Sequence, residues 1–261
     1  MKLQNALMIF ILIMVIGTIE SFGQAVKINQ SYIKGDVELQ FWQYKKILNP
    51  KDTNIQFNII YPEIINNNDI SVRILLNSKL IDNELEQKFK EFADEYKTSI
   101  ADNPPSDEYP LDYHWIENWT VQYNSNGLLS LVNSISEATG GAHGNYKETS
   151  FNFDLSNGRG IIITDIISNQ KDPRFIKLLM SKLAASVEMQ AADLKDDFPP
   201  LKSDFKLTEN FYFTSMAVVF IYSSGDFVSM GSGPNPEAVF PFDEIKPFLK
   251  KGCILEKLFK K

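Results

Sequence analysis

The stretch "TGGAHGNYKETSFNFDLSNGRGIIITDII", residues 139–167, decides how the chain is read. Gly140 and Gly141 lead through Ala142 to His143, and Gly144 follows. Lys147, Thr149, Phe151, Phe153 and Leu155 then alternate with polar residues, the period-two pattern of a β-strand with one buried face. Asn157-Gly158 turns the chain, and "GIIITDII" is expected to return as another strand, with Asp165 able to cap a short turn of helix. Just upstream, Trp119, Val121 and Tyr123 alternate with Thr120, Gln122 and Asn124. Asn126-Gly127 is the pair that a two-residue hairpin turn demands, because both positions need positive φ. The returning strand runs through Leu129, Leu131 and Ser134. These segments predict a sequential antiparallel meander.

Working outward, "DVELQFWQY" (36–44) and "IQFNIIYPEI" (55–64) read as strands, with Pro62 near a strand end. In "LIDNELEQKFKEFADEYK" (80–97), Ile81, Leu85, Phe89, Phe92 and Tyr96 recur at helical spacing and predict one amphipathic helix. Residues 99–113 hold three prolines and four acidic residues and read as an exposed loop and domain boundary. On the far side, Asp172 and Pro173 give the N-cap and N1 signals of a long helix whose stripe is Ile176, Leu179, Met180, Leu183 and Val187. "ENFYFTSMAVVFIY" (209–222) predicts a hairpin turning near Ser215-Met216. Residues 223–238 are rich in Gly, Ser and Pro and read as a shaped loop, "VFPFDEIKPFL" (239–249) as a short strand and helix, and the lysine-rich tail as a docked terminal helix.

The N-terminus carries Lys2, an apolar run from Leu7 to Ile16, and small residues at Ser21 and Gly23, the pattern of a secretory signal peptide cut after residue 23. An exported, periplasmic or secreted protein is therefore expected, with no membrane span after cleavage. Removal of 1–23 takes away Lys2 and Glu20, so the net charge stays at -7. An acidic chain is a poor fit to nucleic acid, whose phosphates need a basic face, and is compatible with a basic protein partner. Cys253 is the single cysteine, so no intramolecular disulfide forms, and it reads as a small buried hydrophobe.

Motifs that carry chemistry are missing. The chain has two histidines, His114 and His143, no G-x-S-x-G elbow, no H-E-x-x-H or C-x-x-C, no Ca²⁺ loop and no phosphate loop. No cofactor, metal site or catalytic residue is expected, and the protein is not expected to be an enzyme. His143 has two readings: an imidazole offered to a ligand or acting as a base, or part of a backbone device. In the second, Gly140, Gly141, Ala142, His143 and Gly144 set strand spacing through positive φ and close approach. Trp115 and Trp119 read as core packing, with sugar stacking as the alternative.

These same residues carry a resemblance. Thr139 to His143, the strand Phe151 to Leu155, Gly158 and Ile163 to Ile167 resemble the signature of an exported family of unknown function. "ENFYFT" and "AVFPFDEIKPFL" are similar to its C-terminal pattern, and "IIYPEI" followed by a helix is similar to its companion domain. The pair of domains resembles the extracellular region of the anti-sigma-V factor RsiV, a lysozyme receptor, and the non-catalytic domains of peptidoglycan deacetylase PdaC. The resemblance implies an α+β fold: a small N-terminal sheet-plus-helix domain over 24–112, then an antiparallel-sheet domain with one long helix over 113–261. It further implies a non-enzymatic binding module of the cell envelope whose partner is a lysozyme-like basic protein or peptidoglycan fragments. Where relatives carry an aromatic-rich loop, "GDFVSMGSG" (225–233) stands here and keeps Asp226, Phe227 and Gly233. His143, Asp226 and Phe227 are the ligand-binding candidates on that basis. The alternative is a glycan-directed hydrolase using His143 with nearby carboxylates. Neither sigma-factor binding nor deacetylation is carried over by the resemblance.

Overall fold

The computed structural model describes residues 25–32, 35–49, 52–67, 69–81, 84–102, 112–140, 144–187, 207–222 and 235–259. The expected signal peptide, Gly141, Ala142 and His143, and the loop with Asp226 and Phe227 lie outside the described residues.

The fold is α+β. Seven strands form one sheet in sequence order: β1 (Ala25–Tyr32), β2 (Glu38–Asn49), β3 (Asp52–Asn66), β4 (Tyr113–Ser125), β5 (Leu128–Thr139), β6 (Asn145–Asp154) and β7 (Arg159–Gly160). Neighbours are antiparallel except β3 and β4, which run parallel where Gln56–Ile59 meet His114–Glu117. A parallel pair needs a long crossover, and the segment containing α1 (Ile70–Leu80) and α2 (Leu85–Asp102) supplies it. The sheet therefore runs unbroken across the boundary at 112/113.

Three sequence expectations change here; the first is Pro62, which lies inside β3 opposite Phe41 rather than near a strand end. The helix expected over 80–97 starts only at Leu85, and a separate helix precedes it. Ile81 is the extended C-cap of α1, and the apolar face of α2 begins at Leu85. The first helix escapes periodicity because its apolar residues lie all round it: Val72, Leu76 and Leu80 are buried while Ile70, Ile74 and Leu75 are exposed. "GIIITDII" joins the large sheet through Gly160, coils into the short α3 (Ile163–Ile166), where the Asp165 carboxylate accepts the Ile162 N–H at 3.1 Å, and ends in an isolated antiparallel bridge from Ile167 to Leu249.

The long helix α4 (Pro173–Ser186) starts as read, with Asp172 accepting from the Arg174 N–H. It packs Phe175, Leu179 and Leu183 against a second sheet of three strands ordered β10 (Glu237–Pro241), β9 (Ala217–Ile221), β8 (Phe211–Phe213). A short helix α5 (Phe242–Ile245) and a terminal 3₁₀ turn, Ile254–Phe259, close that layer, with Leu255 and Cys253 buried. A second cluster gathers Phe57, Phe92, Tyr96 and Tyr113 beneath α2. At its margin the Glu86 carboxylate takes a hydrogen bond from the Tyr44 hydroxyl and an ion pair from Lys46, each at 2.8 Å. A third cluster joins α1 to Leu39, Phe41, Leu129, Leu131 and Phe153.

Asparagine side chains complete the sheet where strands part. A carboxamide both donates and accepts, as a peptide group does. Asn77 pairs in both senses with Ile64, and Asn124 with Val37. Asn210 accepts from the Ser150 N–H and donates to the Glu148 carbonyl.

Candidate functional site

The β4–β5 hairpin turns at Asn126 and Gly127, both at positive φ, as the sequence demands. The ladder pairs Ser125 with Leu128 and Tyr123 with Ser130, then shifts by one residue between Val121 and Tyr123. An unbroken ladder would place His114 opposite Thr139 and turn Ser136 to the other face. The bulge instead pairs His114 with Ala138 and Ile116 with Ser136. One sheet face therefore carries His114, Ile116 and Asn118 on β4, Ser134 and Ser136 on β5, and Tyr146 and Glu148 on β6, since Ser136 faces Tyr146 and Ser134 faces Glu148.

Further along this face the second sheet is docked. The buried Asn152 donates to the Phe211 carbonyl at 2.5 Å and accepts from the Ser130 hydroxyl at 2.6 Å, while Ser130 accepts the Phe213 N–H. That contact brings Tyr212, Asn235 and Glu237 beside Glu148. The Glu148 carboxylate accepts from the Tyr146 hydroxyl and the Asn235 amide, each at 3.0 Å, and the Tyr212 hydroxyl donates to Glu237 at 3.1 Å. Two glutamates and two tyrosines thus share one partly buried corner. Burial, with the negative charge of Glu148 behind it, raises the Glu237 carboxyl above its usual range even though the Tyr212 bond pulls the other way. Burial and then Glu148 push the Tyr146 phenol up to about 12.

The segments flagged by the sequence adjoin residues of this corner along the chain. Residues 141–143 stand directly before β6 and its Tyr146, and residues 223–234 directly before Asn235 and Glu237. Gly140 is at φ +82, and its N–H is held by the Asp112 carbonyl at 3.0 Å. A Cβ on Gly144 would come to 3.0 Å from the Glu137 carbonyl, so this strand approach is tight. His114, which the sequence offered only as one of two imidazoles, is bonded to Asp112 and Ser136. Tyr146, Glu148, Tyr212 and Glu237 carried no motif. Only the nearness in sequence of Tyr146 and Glu148 to residues 141–143, and of Glu237 to residues 223–234, could have marked them, and nothing marks Tyr212. Trp115 and Trp119 pack against the core clusters. Among the described residues no group of three or more His, Cys, Asp or Glu is arranged to hold a metal ion, and no helix is long and apolar enough to cross a membrane.

The raised Glu237 makes a pH prediction. The folded chain holds this proton more tightly than the unfolded chain. Its contribution to stability is complete below the ordinary carboxylate range and is lost as pH rises through the raised folded value. Wild type should therefore fall in stability relative to Glu237→Gln over that window. Urea midpoints from about pH 4 to about pH 8 measure it, and a difference that does not change with pH contradicts it.

Comparison with known proteins fits this architecture. Residues 48–146, from β2 through the start of β6, match the family model described as deacetylase PdaC. Two solved structures share the fold. A member of the DUF3298 family from Bacteroides fragilis is 20% identical, with a TM-score of 0.61 over 93% of this chain and 100% of that one. A DUF3298 family protein from Pseudomonas aeruginosa PAO1 is 19% identical, with a TM-score of 0.57 over 85% of this chain and 96% of that one. At such identities the likeness is one of fold. No curated protein matches the sequence.

Proposed function

We propose that the protein is an exported binding module of the cell envelope whose partner is a basic, lysozyme-like protein. The observation that carries this reading is the corner of Glu148, Glu237, Tyr146 and Tyr212, in a chain of net charge -7. A lysine or arginine of the partner gains two carboxylates there and two aromatic rings beside them. Export rests on the pattern of residues 1–23, and the lysozyme-like partner on the resemblance carried by residues 139–167. A cation beside Glu237 favours its ionised form, so binding releases a proton and affinity rises with pH through the window above.

Calorimetric titration with a basic lysozyme tests this. Binding in the micromolar range or tighter is expected at low salt, weakening at least about tenfold toward about 0.5 M salt as the charges are screened. No heat at high micromolar concentration overturns it. Binding of muropeptides in place of lysozyme would move the partner to the glycan and also overturn it.

A further inference from the structure

Beyond the carboxylate corner, the same sheet face holds an arrangement that recognition does not use. The His114 Nδ1 lies 2.7 Å from Asp112 Oδ1, and its Nε2 lies 3.1 Å from Ser136 Oγ. An ionised carboxylate only accepts hydrogen bonds, so Asp112 fixes the proton of neutral His114 on Nδ1 and leaves Nε2 free to accept from the Ser136 hydroxyl. A hydroxyl on a base that is oriented by a third group is the geometry of an activated nucleophile. The side chain of His114 is 20% exposed and that of Asp112 is 67% exposed, so the imidazole is fixed in place at a solvent-accessible edge.

We infer that Ser136 is an acyl-accepting nucleophile, with His114 as its general base and Asp112 as the residue that orients the base. The face around it is polar, with Asn118 and Ser134 on neighbouring strands and Tyr146 directly opposite Ser136. It suits a small acyl ester of a hydroxyl-rich alcohol. Ser136 Oγ forms a bond to the acyl carbon as its proton passes to His114 Nε2. The bond to the alcohol oxygen breaks, and the alcohol leaves with that proton. Water, deprotonated by His114, then attacks the acyl-serine, releasing the carboxylic acid and restoring the hydroxyl. This activity is separate from the binding reading and does not depend on it.

The full chain is treated with a fluorophosphonate probe and with p-nitrophenyl acetate, and adducts are mapped by peptide mass spectrometry. The expected result is one adduct on Ser136 and ester turnover, both lost in Ser136→Ala. Both should slow by about a hundredfold or more in His114→Gln, and at least about tenfold in Asp112→Asn. Asp112 is largely exposed, so that variant keeps the packing, and circular dichroism checks the fold of all three. No adduct on Ser136 beside a labelled serine hydrolase control overturns the inference. So does labelling that proceeds equally in folded His114→Gln.

Discussion

Gly35→Ala should destabilise the fold by about 3–5 kcal/mol, the sum of a strained backbone and an overpacked contact. Gly35 sits at φ +135, and a Cβ there would fall 1.8 Å from the Asn124 carbonyl oxygen and 2.5 Å from the Asn124 Cγ. Relief has to come from a backbone that is clamped from several sides. Asn124 bonds both the N–H and the carbonyl of Val37, and the Asp36 carboxylate accepts the Gly127 N–H of the hairpin turn. The entry to β2 is thus tied to the end of the β4–β5 hairpin, far away in sequence. Pushing it off exposes Val37 and Leu39, both buried in the cluster under α1. Urea unfolding reads the effect. An alanine variant within about 0.5 kcal/mol of wild type, the range of an ordinary surface change, would contradict the clamp.

Asn152→Leu should cost about 2–4 kcal/mol, because it leaves buried polar groups unpaired rather than because it alters volume. The substitution keeps the side chain's approximate shape. It strips the Phe211 carbonyl of its donor and the Ser130 hydroxyl of its acceptor, in surroundings where Ser130, Phe211 and Phe213 are all fully buried. These bonds hold the second sheet on the first, and the carboxylate corner depends on that docking. Ser130→Ala and Asn152→Leu belong to one network, so the double variant should lose clearly less than the sum of the single losses. Additive losses would show that the two side chains act independently.

What could be read from the sequence divides along physical lines. The Asn126-Gly127 turn, the strands around it and the Asp172-Pro173 helix start depend on neighbouring residues, and each stands where the local chemistry puts it. The helix Ile70–Leu80 was invisible to periodicity because exposed isoleucines blur its stripe. The strand expected over "GIIITDII" gives way to a turn of helix at Ile163–Ile166, which Asp165 signalled in the sequence and which its bond to Ile162 starts. The meeting of His114 with Ser136 depends on a one-residue shift between Val121 and Tyr123. No residue there announces a bulge, and without it the two side chains point to opposite faces. The corner of Glu148 and Glu237 depends on docking between sheets, which no local pattern encodes. The His143 and Asp226–Phe227 candidates lie outside the described residues.

A binding comparison tests the central claim most directly, because the described residues include two acidic surfaces. Glu91, Asp94, Glu95 and Asp102 of α2 line a groove with Tyr113 and Thr139, while Glu148 and Glu237 form the corner with Tyr146 and Tyr212. Affinity for a basic lysozyme should be measured for Glu148→Gln/Glu237→Gln and for Glu91→Gln/Glu95→Gln, which remove equal charge. If the corner is the site, the first pair raises Kd by about tenfold or more and the second by no more than about twofold, as for charges at an interface rim. Equal losses from the two pairs, or a larger loss from the α2 pair, would contradict it.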